Sequence, residues 1–168
     1  METDLGTGYW QKMADLYDRA GVADICLNLQ ERFGTDIVFL LFLRLLDHRA
    51  ILLGESECHE AQAAVAAWHA NVVMLLRAVR QWMKPLAGAA AIVSCRNRVK
   101  AAELEAEHLE LDMLVQWLSE RKLAQNSSDT ADNAGDFLLR AGADRLTIVR
   151  FLKLTAERQW TYPVGDRS

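Results

Sequence analysis

Along this chain apolar side chains recur at three- and four-residue spacing between short breaks rich in glycine, serine and aspartate, the pattern of amphipathic helices. A first helix is predicted over 9–19, with Trp10, Met13, Ala14 and Tyr17 on one face and Gly21 as its break. A second carries Val22, Ile25, Cys26, Leu29 and Phe33 as its stripe and ends at Gly34, since glycine takes the positive φ of a helix C′ position cheaply. Thr35 is the expected N-cap of a third helix, and Asp36 sits favourably at the positive end of its dipole. That third helix, reaching about residue 50, departs from the amphipathic rule. From Ile37 to Leu43 it has no polar side chain, so it must be covered by neighbours rather than lie on the surface. Each large side chain it buries contributes roughly 1.5–3 kcal/mol, which makes it the expected centre of the core.

After Gly54-Glu55-Ser56, with Ser56 as N-cap, a fourth helix runs to about Lys84, with a bend expected near His69-Ala70-Asn71. Its stripe is Ala61, Val65, Trp68, Val72, Leu75, Leu76, Val79 and Met83. Pro85-Leu86-Ala87-Gly88 turns the chain into a fifth helix over 89–123, the longest. Asn126-Ser127-Ser128-Asp129 reads as a polar loop. Two short helices follow over 132–140 and 144–158, carrying Phe137, Leu138, Leu146, Val149 and Leu152. No stretch alternates strongly enough for a strand. The expected fold is all-α: one domain over 1–160, a bundle of about seven helices around a buried central helix, with the long helix as second spine and a frayed tail over 161–168.

Composition agrees, with 51% hydrophobic and 25% charged residues and two prolines, too few for a turn-rich sheet architecture. The longest wholly apolar run, Ile37–Leu43, falls far short of the ~18 residues of a membrane span. The start Met1-Glu2-Thr3-Asp4 is acidic and lacks a hydrophobic signal core, so the expected location is cytoplasmic. Cys26, Cys58 and Cys95 are scattered without a close pair and fit reduced thiols.

Several strings occur in a telling order. They are Tyr9-Trp10, Gly21-Val22-Ala23, Cys26-Leu27-x-Leu29-Gln30 and Leu40-Leu41-Phe42, then Trp68-x-x-x-Val72-Val73-x-x-Leu76-Arg77-x-x-Arg80 and Val99-Lys100-Ala101-Ala102-Glu103-Leu104-Glu105-Ala106-Glu107. Over roughly Tyr9 to Leu118 this order resembles an uncharacterised family of small proteobacterial proteins, a domain of unknown function. The Lys-Ala-Ala-Glu-Leu-Glu-Ala-Glu string is its most specific part. Ala20 stands where members of that family usually have proline before the Gly-Val pair. The resemblance implies a small bacterial helical protein and brings no chemistry with it.

The charge map changes the picture most. From Ala61 through Ala102 there is no Asp or Glu, while Arg77, Arg80, Lys84, Arg96, Arg98 and Lys100 all lie in that window. An antiparallel hairpin of the fourth and fifth helices would gather these cations towards its tip, making a local field that the net charge of −4 conceals. They are candidate binding residues for an acidic partner or a phosphate-bearing ligand. The competing reading is a solvated face, with the cations paired to acids such as Glu103, Glu105, Glu107, Glu110 and Asp112 just downstream. The fifth helix also carries two apolar stripes. Leu104, Leu111, Val115 and Leu118 lie about half a turn from Ala102, Ala106, Leu109, Met113 and Trp117. A helix at the edge of a monomer needs one stripe, so the Leu104 stripe is a candidate interface with another protein or a second copy, unless the last two helices cover it.

Other chemistry is sparse. Arg44, Asp47 and His48 form a polar end to the third helix and could line a ligand pocket beneath Trp10 and Tyr17. Glu105-x-x-His108 has the spacing of a carboxylate-bridged di-iron ligand pair, but that architecture needs the motif twice and no second copy exists. No metal and no cofactor are expected. Cys58-His59 lacks an identifiable orienting acid for nucleophilic work. Neither a glycine-rich phosphate loop nor a nucleophile elbow occurs. The expected function is a non-enzymatic interaction or regulatory role through the basic hairpin and the second apolar face. The alternative is a small-ligand binder or enzyme using the Arg44–His48 pocket.

Overall fold

The computed structural model describes the backbone of residues 4–86, 88–121 and 131–157, and side chains from Gly8 onward. The loop expected over 126–129 and the tail over 161–168 lie outside the described residues. Seven helices form an all-α bundle with no strand among the described residues. They are α1 (Asp4–Tyr17), α2 (Val22–Phe33), α3 (Ile37–Asp47), α4, α5 (Ala90–Ser119), α6 (Asn133–Arg140) and α7 (Arg145–Leu154). The fourth is interrupted: α4 is α-helical over Glu55–Trp68, widens into a π turn over His69–Val73, and resumes over Met74–Trp82. A short 3-10 turn, Lys84–Leu86, then leads into α5.

The core sits on α3. Val38 through Leu43 are all buried, as are Leu45 and Leu46, the outcome its wholly apolar composition demands. Around it pack Tyr9, Met13 and Leu16 of α1, Ile25 and Leu29 of α2, Ala61 and Val65 of α4, and Leu111 and Leu114 of α5. Phe137 of α6 meets Phe39 edge-on, ring centroids 5.2 Å apart. Gly34 closes α2 with φ 63°. The N-cap of α3 is Asp36 rather than Thr35: its carboxylate accepts a hydrogen bond from the Phe39 amide at 3.1 Å. Thr35 is instead drawn into the interior, 4% exposed.

Two expected stripes are corrected. In α7, Leu146 and Val149 are exposed, while Ile148 and Phe151 are buried because α2 and α6 meet the helix along that side. In α4 the cause is the π turn. A regular helix advances 100° per residue, so the inward positions after Val65 would fall near 69, 72, 76 and 79. A π turn beginning at His69 takes one residue more and delays each position after 69 by one. Val73 and Arg77 are buried and Arg80 is half-buried, whereas Leu75 is 58%, Val79 47% and Trp82 72% exposed. Beyond Trp68 the expected stripe therefore fails as an inward face: Leu75 and Val79 point outward, and Val72, Leu76 and Met83 are only half-buried.

The two stripes of α5 are each partly covered within the chain. Leu111 is fully buried, Val115 is buried and Leu118 packs against the core, leaving Leu104 exposed. Helices α1, α3 and α4 supply the cover. The Leu104–Leu118 stripe thus offers no continuous face to a second chain.

Candidate functional site

Because the π turn points Arg77 and Arg80 inward, the hairpin of α4 and α5 closes on a polar seam. Arg77 donates from Nε to Glu103 Oε1 at 3.0 Å and from Nη2 to Glu107 Oε1 at 2.6 Å. Arg80 donates from Nη2 to the same Glu103 oxygen at 3.1 Å and pairs through Nε with the other. Arg96 donates to the Arg80 carbonyl at 3.2 Å, and Trp68 Nε1 to the Ala106 carbonyl at 2.9 Å. Burial works against the charge of Glu103, but the hydrogen bonds from Arg80 and Arg77 outweigh it and hold its carboxyl below the ordinary value. Two guanidiniums thus face two carboxylates. An unpartnered buried cation would be strongly destabilising, and the acids of α5 remove that cost.

The outer side of the hairpin is the reverse. Leu75, Val79, Trp82 and Leu86 recur at intervals of three and four and are all exposed, as is Val93 on α5. Lys84, Arg98 and Lys100 are exposed too and form no ion pair among the described residues. Of the six expected binding cations, then, Arg77 and Arg80 are paired inside, Arg96 is half-buried on a backbone carbonyl, and three remain on the surface.

At the inner end of the seam, three residues from three helices converge. His69 Nδ1 lies 3.3 Å from Asp36 Oδ2 and 3.2 Å from each oxygen of Glu110. Glu110 is fully buried, and burial, reinforced by the facing Asp36, pushes its carboxyl up to about 8 against the opposing pull of His69. For His69, burial disfavours the cation, yet Glu110 and Asp36 outweigh it and raise the imidazole above its usual value. A cleft of about 390 Å³ opens beside this cluster, lined by Thr35, Asp36, Cys58, His59, His69 and Arg140 among others. Burial pushes the Cys58 thiol up, and its sulfur accepts from Arg140 Nη2 at 3.4 Å, which suits a packed thiol and not a nucleophile. The ligand atoms of Asp36, His69 and Glu110 lie within 4.8 Å of one another and could hold a metal ion.

The polar end of α3 serves as a joint. Asp47 accepts from the Asn133 amide at 2.7 Å, from Asn133 Nδ2 at 2.8 Å and from the Ala134 amide at 3.2 Å, capping the start of α6. Arg44 Nε donates to Thr155 Oγ1 at 2.9 Å, and His48 Nε2 lies 2.8 Å from the Thr155 carbonyl oxygen. Burial pushes Asp47 up to about 6 despite those donors. Of the three, His48 lines a recess of about 190 Å³ shared with Lys12, Asp15, Arg19 and Arg49. Of the expected metal-like pair, Glu105 is exposed and His108 stacks on Trp10 with ring centroids 4.4 Å apart.

Sequence reasoning did not assemble Asp36, His69 and Glu110, which lie on separate helices with no local spacing to join them. One signal was available. Glu103, Glu107 and Glu110 fall at i, i+4 and i+7 on one side of α5, matching the Arg77/Arg80 spacing across the hairpin.

Residues 8–114 match the profile of a family described as a protein of unknown function, DUF2390. No curated protein and no solved structure matches the chain.

Proposed function

The chain belongs to that family, whose description assigns no activity, and we propose that it is a non-enzymatic, cytoplasmic bacterial interaction or regulatory protein that docks through the outer face of the α4–α5 hairpin. The partner it suits is a protein segment presenting apolar side chains flanked by acids. The observation that supports this is the inverted hairpin. Arg77 and Arg80 are consumed internally, and the ridge Leu75–Val79–Trp82–Leu86 stands in solvent with Lys84 within it, while Arg98 and Lys100 are exposed on α5. Leaving apolar area in water forgoes about 25 cal/mol per Å², and a contiguous exposed patch of this kind marks an interaction surface. Charge argues against a second copy as the occupant. A two-fold contact would set these cations against their equals, with no acid between residues 61 and 102 to relieve them. The cytoplasmic assignment is supported by three free thiols, two of them buried, and no described helix is long and apolar enough to cross a membrane.

The test uses a synthetic helical peptide with Leu at i, i+4 and i+7 flanked by Glu, a Lys-flanked version of it, and vesicles of phosphatidylglycerol. Intrinsic fluorescence of the full chain and its Trp82→Phe variant reports occupancy. The acidic peptide should bind, shift the Trp82 emission to the blue, and weaken with salt. Leu75→Ser with Val79→Ser should abolish binding, and so should Lys84→Glu with Arg98→Glu. The reading is overturned if only vesicles bind, if the Lys-flanked peptide binds equally, or if the chain sediments as a dimer that Trp82→Ser dissociates.

A further inference from the structure

We infer that Asp36, His69 and Glu110 form a site for one divalent transition-series cation of the size and preference of Zn²⁺, placed where the α3 N-cap, the first residue of the π turn and the buried side of α5 meet. The first argument is geometric. His69 Nδ1 can carry one proton, yet three carboxylate oxygens surround it, Asp36 Oδ2 at 3.3 Å and Glu110 Oε1 and Oε2 at 3.2 Å. One hydrogen cannot be directed at all three. With metal–ligand bonds of about 2.0–2.1 Å in a tetrahedron, ligand atoms stand about 3.3–3.4 Å apart. The separations from His69 to both carboxylates match that figure. They are long for hydrogen bonds to a charged acceptor, which run about 2.7–2.9 Å.

The second argument is charge. Along the seam Arg77 and Arg80 are matched by Glu103 and Glu107, so Asp36 and Glu110 crowd each other with the His69 imidazole as the partner they share. Two carboxylates crowded against one imidazole cannot both stay ionised without a further positive charge, which a proton supplies in the absence of an ion and a divalent cation supplies when bound.

The third argument is preorganisation and access. Asp36 Oδ1 accepts from the Phe39 amide, which fixes the carboxylate and leaves Oδ2 for the ion, as an outer contact orients a metal ligand. Asp36 and His69 line the 390 Å³ cleft, and so does Thr35, whose buried hydroxyl has no hydrogen-bond partner among the described residues. Three protein donors and an approach from a cleft make an open coordination position rather than a closed structural site. An imidazole in the donor set favours Zn²⁺, Co²⁺ or Fe²⁺ over the all-oxygen preferences of Ca²⁺ and Mg²⁺. A π turn beginning at the histidine is the kind of helix irregularity that recurs at functional sites.

The experiment is a calorimetric titration of the full chain, dialysed against chelator, with Zn²⁺ and then Mg²⁺, and a visible-absorption titration with Co²⁺. One Zn²⁺ per chain should bind, Co²⁺ should show the intense bands of a tetrahedral complex, and Mg²⁺ should bind weakly or not at all. His69→Gln and Glu110→Gln should each weaken Zn²⁺ by about 100-fold or more, with helical content checked by circular dichroism. Should either fail to fold, Asp36→Asn serves, since its remaining oxygen can keep the Phe39 cap. Absence of stoichiometric binding overturns the inference and leaves the cluster to a shared proton. Binding that survives all three substitutions, or that vanishes in Cys58→Ser or Cys95→Ser instead, overturns it as well.

Discussion

Arg77 and Glu103 meet at 3.0 Å with both side chains withdrawn from solvent, and Glu103 at the same time holds Arg80. A buried ion pair is weak evidence for stability in itself, but removing one partner strands the other charge. Arg77→Met should therefore lower stability by about 3–5 kcal/mol. Glu103→Gln, which leaves Arg80 without a carboxylate and Arg77 with Glu107 alone, should cost a comparable amount. Urea unfolding of both single variants and the double should show strong coupling, with the double less destabilised than the sum. Additive losses would mean the pair acts only as solvated surface.

Leucines at three positions provide a test of the core. Leu41 is 2% exposed on α3 and Leu75 is 58% exposed on α4. Leu41→Ala should cost about 2–5 kcal/mol through a cavity, and Leu75→Ala should stay within about 0.5 kcal/mol. Leu111, read from sequence as part of an interface, is fully buried. Leu111→Glu should consequently unfold the chain rather than yield a soluble monomer. Thermal melts of the three variants decide, and a cooperative fold in Leu111→Glu would contradict the packing.

Acid should favour the α3–α6 joint. Asp47, its side chain 1% exposed, is pushed up to about 6 by burial, with Asn133, Ala134 and Arg44 pulling it down and Asp132 pushing it up. A carboxyl whose folded value lies above its unfolded one contributes stability that is complete below the unfolded value and is lost as pH rises through the folded one. Across this window the gain is on the order of 3 kcal/mol. His48, lowered by burial and then by Arg44, works in the opposite sense as acid protonates the unfolded chain. The measurement is thus a difference: parent minus Asp47→Asn stability, followed from pH 7.5 to 4.5. It should grow as pH falls. A flat difference would mean that Asp47 stays ionised throughout.

Thiol chemistry should separate the cysteines. Cys95 is exposed, whereas Cys26 and Cys58 are buried, and burial pushes Cys26 up to about 12. A disulfide reagent should modify one thiol of the native chain quickly and all three only after denaturation. Cys95→Ser should remove the fast reaction.

What the sequence made legible follows from what each signal encodes. The run Ile37–Leu43 declared the core because no orientation of it is polar, and Gly34 marked the end of α2 because few other residues take φ 63°. The break near His69 was visible, but its size was not. A periodic stripe gives the direction in which a helix is apolar and says nothing of what lies in that direction, so Leu75 and Val79 read as core until the turn count was known. The cations of residues 77–100 were visible as a group, yet two of the six, Arg77 and Arg80, turn on the α5 acids Glu103 and Glu107, one turn apart along the helix. That choice depends on helix rotation, which composition does not record. Asp36, His69 and Glu110 share no spacing at all, and only the packing of three helices brings them together.

The π turn at His69–Val73 also has a genetic meaning. Since it holds one residue beyond what an unbroken helix needs, the loss of a single codon such as that for Ala70 would straighten α4 and leave everything after it on its present face, because the residue lost is the one the wide turn absorbs. Arg77 and Arg80 would still meet Glu103, and Leu75 and Val79 would still face outward. The outward ridge and the inward seam are thus indifferent to that single-codon event, and what the inserted residue changes is confined to the turn at His69–Val73 itself.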